Sequence, residues 1–282
     1  MTYDFSLLRK PHTMPNYPSY SNSLLEEYYY NFYKNNQKLF EDKNRLYIAA
    51  FWTNILCEKQ PIHYQVQDYL NALPRDKPYY TVVQHDLDIV YQLPPDTKVF
   101  AAGGLTGKGI PIPLIGETIP EKYLEPRNKE IFCSGIYSMT HDIRRKVYEL
   151  YKNNKDFVFN PPRSWTDSIP ENDFINFAET SKKSIFGLAI RGFGLNSFRL
   201  YELFQLNCIP VIITDKFYLP FEDDLNWNSF CVLLNEKDIP NLYEILLNIS
   251  PEKQDQMRQK GKEVYESHFT LESVCKQILK RL

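Results

Sequence analysis

Ser184–Leu242 reads SIFGLAIRGFGLNSFRLYELFQLNCIPVIITDKFYLPFEDDLNWNSFCVLLNEKDIPNL, and the fold follows from it. Ile185 to Ile190 is an apolar run of the length and content of a buried strand. Arg191-Gly192-Phe193-Gly194 breaks that run, Asn196 and Ser197 can each cap a helix, and Phe198 to Leu206 is helix-forming and apolar on nearly every side. A second apolar run, Cys208 to Thr214, ends in Asp215. Strand, glycine turn, helix and strand make one βαβ unit, and its right-handed connection makes the two strands parallel.

The junction of strand and helix is where chemistry is expected. Gly192 and Gly194 allow a ligand close to the backbone, and the helix start offers unpaired N–H groups with a partial positive charge. Arg191 adds a guanidinium with bidentate geometry for phosphate oxygens. Arg199 and Glu202 are ionised groups on a mostly apolar helix. Two readings fit: a diphosphate held by Arg191 and the helix start with Glu202 on a ribose hydroxyl, or an Arg199–Glu202 pair beside an ordinary glycine turn.

The motifs RGFGLNSFRLYE, NCIPVIITD, LPFEDDLNW and EKDIPNL resemble, in order and spacing, the C-terminal half of the exostosin-like glycosyltransferases. That family includes heparan-sulfate polymerases and plant cell-wall glycosyltransferases. LEEYYYNF, RLYIAAFWT, VVQHD, IPIPLIG and FCSGIY with RRKVYEL extend the resemblance more sparsely through the first half. It implies an α/β fold of the GT-B type, with two Rossmann-like domains facing a central cleft. An acceptor domain is expected over 1–125, a nucleotide-sugar domain over 126–265, and a C-terminal helix over 266–282 packing back on the first domain.

Composition limits the function. At 282 residues with 43% hydrophobic and 24% charged, the chain is long enough for two modest domains. A net charge of −2 argues against a nucleic-acid or anionic-membrane surface. The aromatic share, 15% with 21 Tyr and 18 Phe, is high; sugars stack on such faces, and cores also use them. Cys57, Cys133, Cys208, Cys231 and Cys275 have no paired or metal-ligand spacing, which fits a reducing compartment. No apolar run is long enough to span a membrane, and Met1 to Lys10 lacks a signal-peptide core. A soluble, cytoplasmic, stand-alone protein of microbial or viral origin is therefore expected, unlike the usual Golgi-anchored members of the family.

In chain order, residues 1–22 read as an extended lead-in, Ser23–Phe40 as helix, Leu46–Trp52 as a buried strand and His63–Leu73 as a short helix. Thr81–Gln84 reads as a parallel-type strand with His85-Asp86-Leu87-Asp88 at its C-terminal end, the edge at which open α/β sheets bind ligands. Val99–Ala102 and Ile110–Ile115 read as strands around a glycine loop. That loop is no P-loop, because Ala102 stands where the first glycine belongs and Gly109 follows Lys108.

After the Pro120–Asn128 linker, Lys129–Ser134 is expected as a strand, Gly135–Ser138 as a turn and His141–Tyr151 as a helix. Arg144 and Arg145 lie in that helix's first turn, against its dipole, so they serve either a bound anion or a solvated face. Phe157–Phe159 reads as a strand, Arg163 and Trp165 as a loop facing the cleft, and Asp173–Thr180 as helix. Ile239–Leu247, Pro251–His268 and Leu271–Leu282 read as further helices.

The resemblance implies an inverting transfer of a sugar from a UDP-sugar to a glycan hydroxyl, without a metal. It leans to xylose, since the short domain is most similar to the xylan-building members. Inversion needs a base opposite the leaving group. Asp86 is the expected base, with His85 or Asp88 as substitutes. Arg191, Gly192, Gly194, Asn196, Ser197, Arg199, Arg144, Arg145 and Gly135 are expected around the nucleotide sugar, with Glu202 on the ribose. The alternatives are an inactive carbohydrate-binding or scaffold protein, and a metal-dependent GT-A-like transferase using Asp86-Leu87-Asp88 as a D-x-D cation site. Oligomeric state is not legible.

Overall fold

The computed structural model describes residues 4–9, 25–57, 62–116, 118–166 and 169–282, and most of the expected lead-in lies outside them. Two all-parallel sheets carry the fold. The first has the order β1-β2-β3-β4, formed by Leu46–Tyr47, Tyr79–Val83, Thr97–Ala101 and Ile110–Pro111. Helices α1 (Leu25–Asn35), α2 (Trp52–Cys57) and α3 (Ile62–Asn71) accompany it. Every residue of β2 is buried, as a central parallel strand requires.

The second sheet has the order β6-β5-β7-β8-β9. Its strands are Ile131–Gly135 (β5), Phe157–Phe159 (β6), Ser184–Ile190 (β7), Ile209–Thr214 (β8) and Val232–Asn235 (β9). Helices α4 (Asp142–Tyr151), α5 (Glu171–Lys183), α6 (Phe198–Gln205), α7 (Leu242–Leu247) and α8 (Pro251–Val264) connect and cover them. The chain lays β6 on one side of β5 and then returns to place β7 on the other. Connectivity therefore reverses between β5 and β7, and such a switch point opens a crevice at the carboxyl ends of its strands.

The sheets are joined by backbone and side-chain bonds. Leu195 N–H donates to Gly103 O at 2.9 Å, and the Tyr218 hydroxyl donates to Ala101 O at 3.0 Å. The last helix, α9 (Leu271–Lys280), packs on α1 of the first half. Lys98 of β3 donates to Arg281 O at 2.7 Å, while Arg281 reaches Asp223 and Asp224. Two Rossmann-like halves about a cleft with a returning C-terminal helix form a GT-B architecture.

Several elements differ from the sequence reading. LYIAAFW is not one strand: β1 stops at Tyr47, and Trp52 opens α2. A continuous apolar run satisfies a buried strand and a buried helix alike. Ile110–Ile115 pairs only over its first two residues, where Pro111 and Pro113 remove ladder donors. Pro251–His268 is an α-helix only to Val264, and Tyr265–Phe269 is a π-turn. Among the described residues no helix is long and apolar enough to cross a membrane, and all five cysteines are free.

Candidate functional site

A cavity of about 180 Å³ lies over the carboxyl ends of β5 and β7. Its second-half wall comes from the two switch-point loops: Tyr137, Ser138 and Thr140 after β5, and Gly192–Gly194 with Asn196–Arg199 after β7. The loop after β6 adds Arg163 and Trp165, and the π-turn adds Tyr265 and Phe269. From the first half come Asp86, after β2, and the segment Leu114–Gly116 with Thr118.

Asp86 stands where the halves meet. Its carboxylate receives the Gly194 N–H, and burial pushes its pKa up to about 6 against that bond and the attraction of Arg144 and Arg191. Gly194 and Gly103 are the glycines this contact requires. A Cβ on Gly194 would overlap Asp86 Oδ1 and lie 2.9 Å from Gly103 O, while one on Gly103 would overlap the Asp86 backbone. A carboxyl titrating near 6 is ionised at neutral pH yet basic enough to take a proton.

Arg144 is buried, and its guanidinium is held by three backbone carbonyls. Nε donates to Arg191 O at 2.9 Å, Nη1 to Ser138 O at 2.7 Å and Nη2 to Ile190 O at 2.8 Å. Carbonyls at the end of β7 and before α4 thus surround the charge and offset its conflict with the α4 dipole. Three of its five N–H groups are used, leaving two for the cavity it lines. Burial draws its pKa down to about 10, so it remains charged. Beside it the Thr140 hydroxyl is buried without a partner. Nothing in the sequence marks Thr140 beyond its place just before a helix.

Arg199 also lines the cavity, stacked 3.4 Å from the centroid of Phe177, with Nη1 donating to Glu202 Oε2 at 2.7 Å. The i,i+3 ion pair exists, and both of its members face the cavity. Burial pushes the Glu202 carboxyl up. Ser197 is the N-cap of α6 in extended conformation, with no capping bond from its side chain. Asn196 takes the Ser197 N–H and exchanges bonds with the Tyr201 hydroxyl, fixing the turn that aims the start of α6 into the cavity.

Five expected site residues do not reach the cavity. Arg191 is not a free cation: Nη1 donates to Asp215 at 2.6 Å, Nη2 donates to Phe193 O at 3.2 Å, and the side chain is 7% exposed. Arg145 is exposed, paired with Asp142 and donating to Met139 O. Gly135 serves packing, since a Cβ there would enter the Phe159 ring. His85 Nδ1 accepts the Leu87 N–H at 3.2 Å, a local loop bond. Asp88, at φ 54°, accepts from Gly104 N–H, Thr106 N–H and the Thr106 hydroxyl. Its carboxylate organises the glycine loop through these three bonds.

Residues 98–249, more than half of the chain, match the model of the Exostosin GT47 domain. The chain belongs to the exostosin GT47 family. It is 30% identical over 157 residues to an exostosin-1 homologue of Caenorhabditis elegans, covering 52% of this chain and 41% of that protein. It is 33% identical over 144 residues to a probable β-1,4-xylosyltransferase of Arabidopsis thaliana, covering 48% and 32%. To exostosin-2 of Mus musculus it is 23% identical over 219 residues, covering 71% and 29%. The chain spans less than half the length of these relatives. Among solved structures, S. aureus TarM in complex with fondaparinux, alpha-GlcNAc-glycerol and UDP aligns at TM-score 0.40 and 10% identity, over 77% of this chain and 57% of that one. Asp86 precedes the stretch matched to the GT47 model, so its part in the site rests on geometry.

Proposed function

We propose that this exostosin-family chain is a glycosyltransferase that moves a sugar from a UDP-sugar to a glycan hydroxyl with inversion. One observation carries the reading. At the switch point of the second sheet, a cavity lined by Arg144, Arg199 and the start of α6 is met from the first sheet by the Asp86 carboxylate. A diphosphate suits the cationic side, where the α6 N–H groups and two guanidiniums supply positive charge. Glu202 has one oxygen engaged by Arg199, leaving the other for a ribose hydroxyl.

The acceptor oxygen attacks the anomeric carbon while its bond to the diphosphate breaks. Asp86 takes the hydroxyl proton, and the cationic side holds the charge that develops on departing UDP. No metal enters this scheme, because guanidiniums and the helix start carry the electrostatic load. Xylose is the first donor to test, in view of the xylosyltransferase relative.

The experiment is to incubate the protein with UDP-xylose, UDP-galactose, UDP-glucuronic acid and UDP-GlcNAc, with and without EDTA, and follow UDP release. Release from one donor that survives EDTA is expected. UDP binding without release from any donor would favour an inactive carbohydrate-binding protein. Release abolished by EDTA and restored by manganese would remove the metal-independent scheme. A product that retains the donor's anomeric configuration would remove Asp86 as base.

A further inference from the structure

Glu26, on α1, is fully buried, and no lysine or arginine is among the groups that shift its pKa. Burying an ionised carboxylate is costly unless donors satisfy it. Here three donors do. Gln84 N–H lies 2.7 Å from Oε1, the Thr53 hydroxyl 2.8 Å from Oε1, and Thr53 N–H 3.0 Å from Oε2.

The geometry of β2 explains why a carboxylate stands there. Tyr80 O accepts the Ile48 N–H, so even-numbered residues of β2 face the β1 edge. Gln84 therefore directs its N–H to that edge, but β1 ends at Tyr47 and the chain turns into α2. The last N–H before the Asp86 loop has lost its strand partner, and Glu26 replaces it. Gln84 Oε1 returns a bond by accepting Leu25 N–H at 2.7 Å. This clasp grips the backbone two residues before Asp86, while Gly194 and Gly103 confine Asp86 from the cavity side.

We propose that Glu26 is a positioning residue for Asp86, standing in for a missing strand so that the carboxylate is held against the α6 turn. The inference rests on Asp86 being the base. A glutamine at position 26 keeps the size but turns an amide NH2 toward groups that are themselves donors, which displaces the end of β2. Burial pushes the Glu26 carboxyl up to about 7, against the Gln84 and Thr53 bonds, so the clasp already stands close to balance.

A double-mutant cycle tests this with the donor that the wild-type protein consumes. Glu26→Gln should lower kcat about tenfold or more, as sub-ångström misplacement of a reacting group can do. UDP affinity, measured by calorimetry, should stay unchanged, because the nucleotide rests on the other half. In an Asp86→Asn background the same substitution should cost nothing further, since a residue acting only through Asp86 has nothing left to position. A merely structural Glu26 lowers the thermal midpoint equally in both backgrounds and leaves kcat per folded molecule intact, which overturns the proposal. So does an additive loss in the double mutant. If Glu26→Gln does not fold, Thr53→Val removes one donor and should still lower kcat with UDP affinity unchanged; an unaltered kcat overturns it. Full activity of Asp86→Asn, or no donor consumed by the wild type, removes the base reading and this inference together, whereas an inactive Asp86→Asn beside a fully active Glu26→Gln removes this inference alone.

Discussion

The Asp86 carboxylate of the first half receives the Gly194 N–H of the second half, with no room for a Cβ between them. One hydrogen bond thus joins the acidic group to the turn that aims α6, across the cleft. The first prediction follows from the missing Cβ. Gly194→Ala has no conformational penalty to fear from positive φ, since only Gly104 and Gly107 among the described glycines adopt it. The added methyl instead displaces Asp86 and presses on Gly103 O. Overpacking of this kind costs about 1–3 kcal/mol. Sugar transfer is expected to fall by about 10²-fold while the fold survives, as kinetics and circular dichroism on the same protein would establish. Transfer at the wild-type rate would separate Asp86 from the reaction.

The second prediction contrasts two arginines. Arg144 lines the cavity with two N–H groups to spare, whereas Arg191 is committed to Asp215 and Phe193 O. Arg144→Gln is expected to weaken UDP binding by about 1.5–3 kcal/mol, the range for a hydrogen bond to a charged group. Arg191→Ala should lower the thermal midpoint and leave UDP affinity within a few-fold of wild type. Calorimetric titration of both variants decides it, and the reverse ranking would mean that Arg191 leaves Asp215 when nucleotide binds.

The βαβ unit around Gly192 and Gly194 was legible because its strands are uninterrupted apolar runs and its turn is rich in glycine. Such signals are local. The Arg191–Asp215 pair spans 24 residues and depends on the exact ends of two strands, so the sequence could present Arg191 only as an uncommitted cation. Thr140, Tyr265 and Phe269 joined the cavity for the same reason: their elements meet only in three dimensions. LYIAAFW misled because burial alone produces that composition, and the early end of β1 is visible only through the unpaired edge that Glu26 fills.

The third prediction separates ribose from phosphate. Glu202 holds Arg199 through Oε2, and its carboxyl faces the cavity. Glu202→Gln is expected to weaken UDP by about tenfold through loss of a carboxyl oxygen that accepts from the ribose hydroxyl. Affinity for inorganic pyrophosphate should not change. Equal losses for both ligands would place Glu202 behind Arg199 as a structural counter-ion.

The last prediction concerns Asp86 itself, through pH. Its pKa is raised from the ordinary 3.8 to about 6, chiefly by burial. A base works only when deprotonated, so the wild-type rate should fall as pH drops through about 6. Asp86→Asn should lower kcat by about 10²–10⁴-fold and lose that acid limb, with UDP affinity unchanged. Stability should move the other way. A carboxyl whose folded pKa lies above its unfolded value contributes stability fully below the unfolded value, and that contribution is lost as pH rises through about 6. Ionised Asp86 therefore costs the fold on the order of 1–3 kcal/mol at pH 8. Asparagine can still accept the Gly194 N–H without carrying the charge. Asp86→Asn is then expected to melt a few degrees above wild type at pH 8, with the gap closing toward pH 4. Thermal scans across that range, beside rates on the same samples, test both halves of the claim. A variant that melts lower at every pH would mark Asp86 as a structural cap of its loop, and near-normal transfer would end its case as the base.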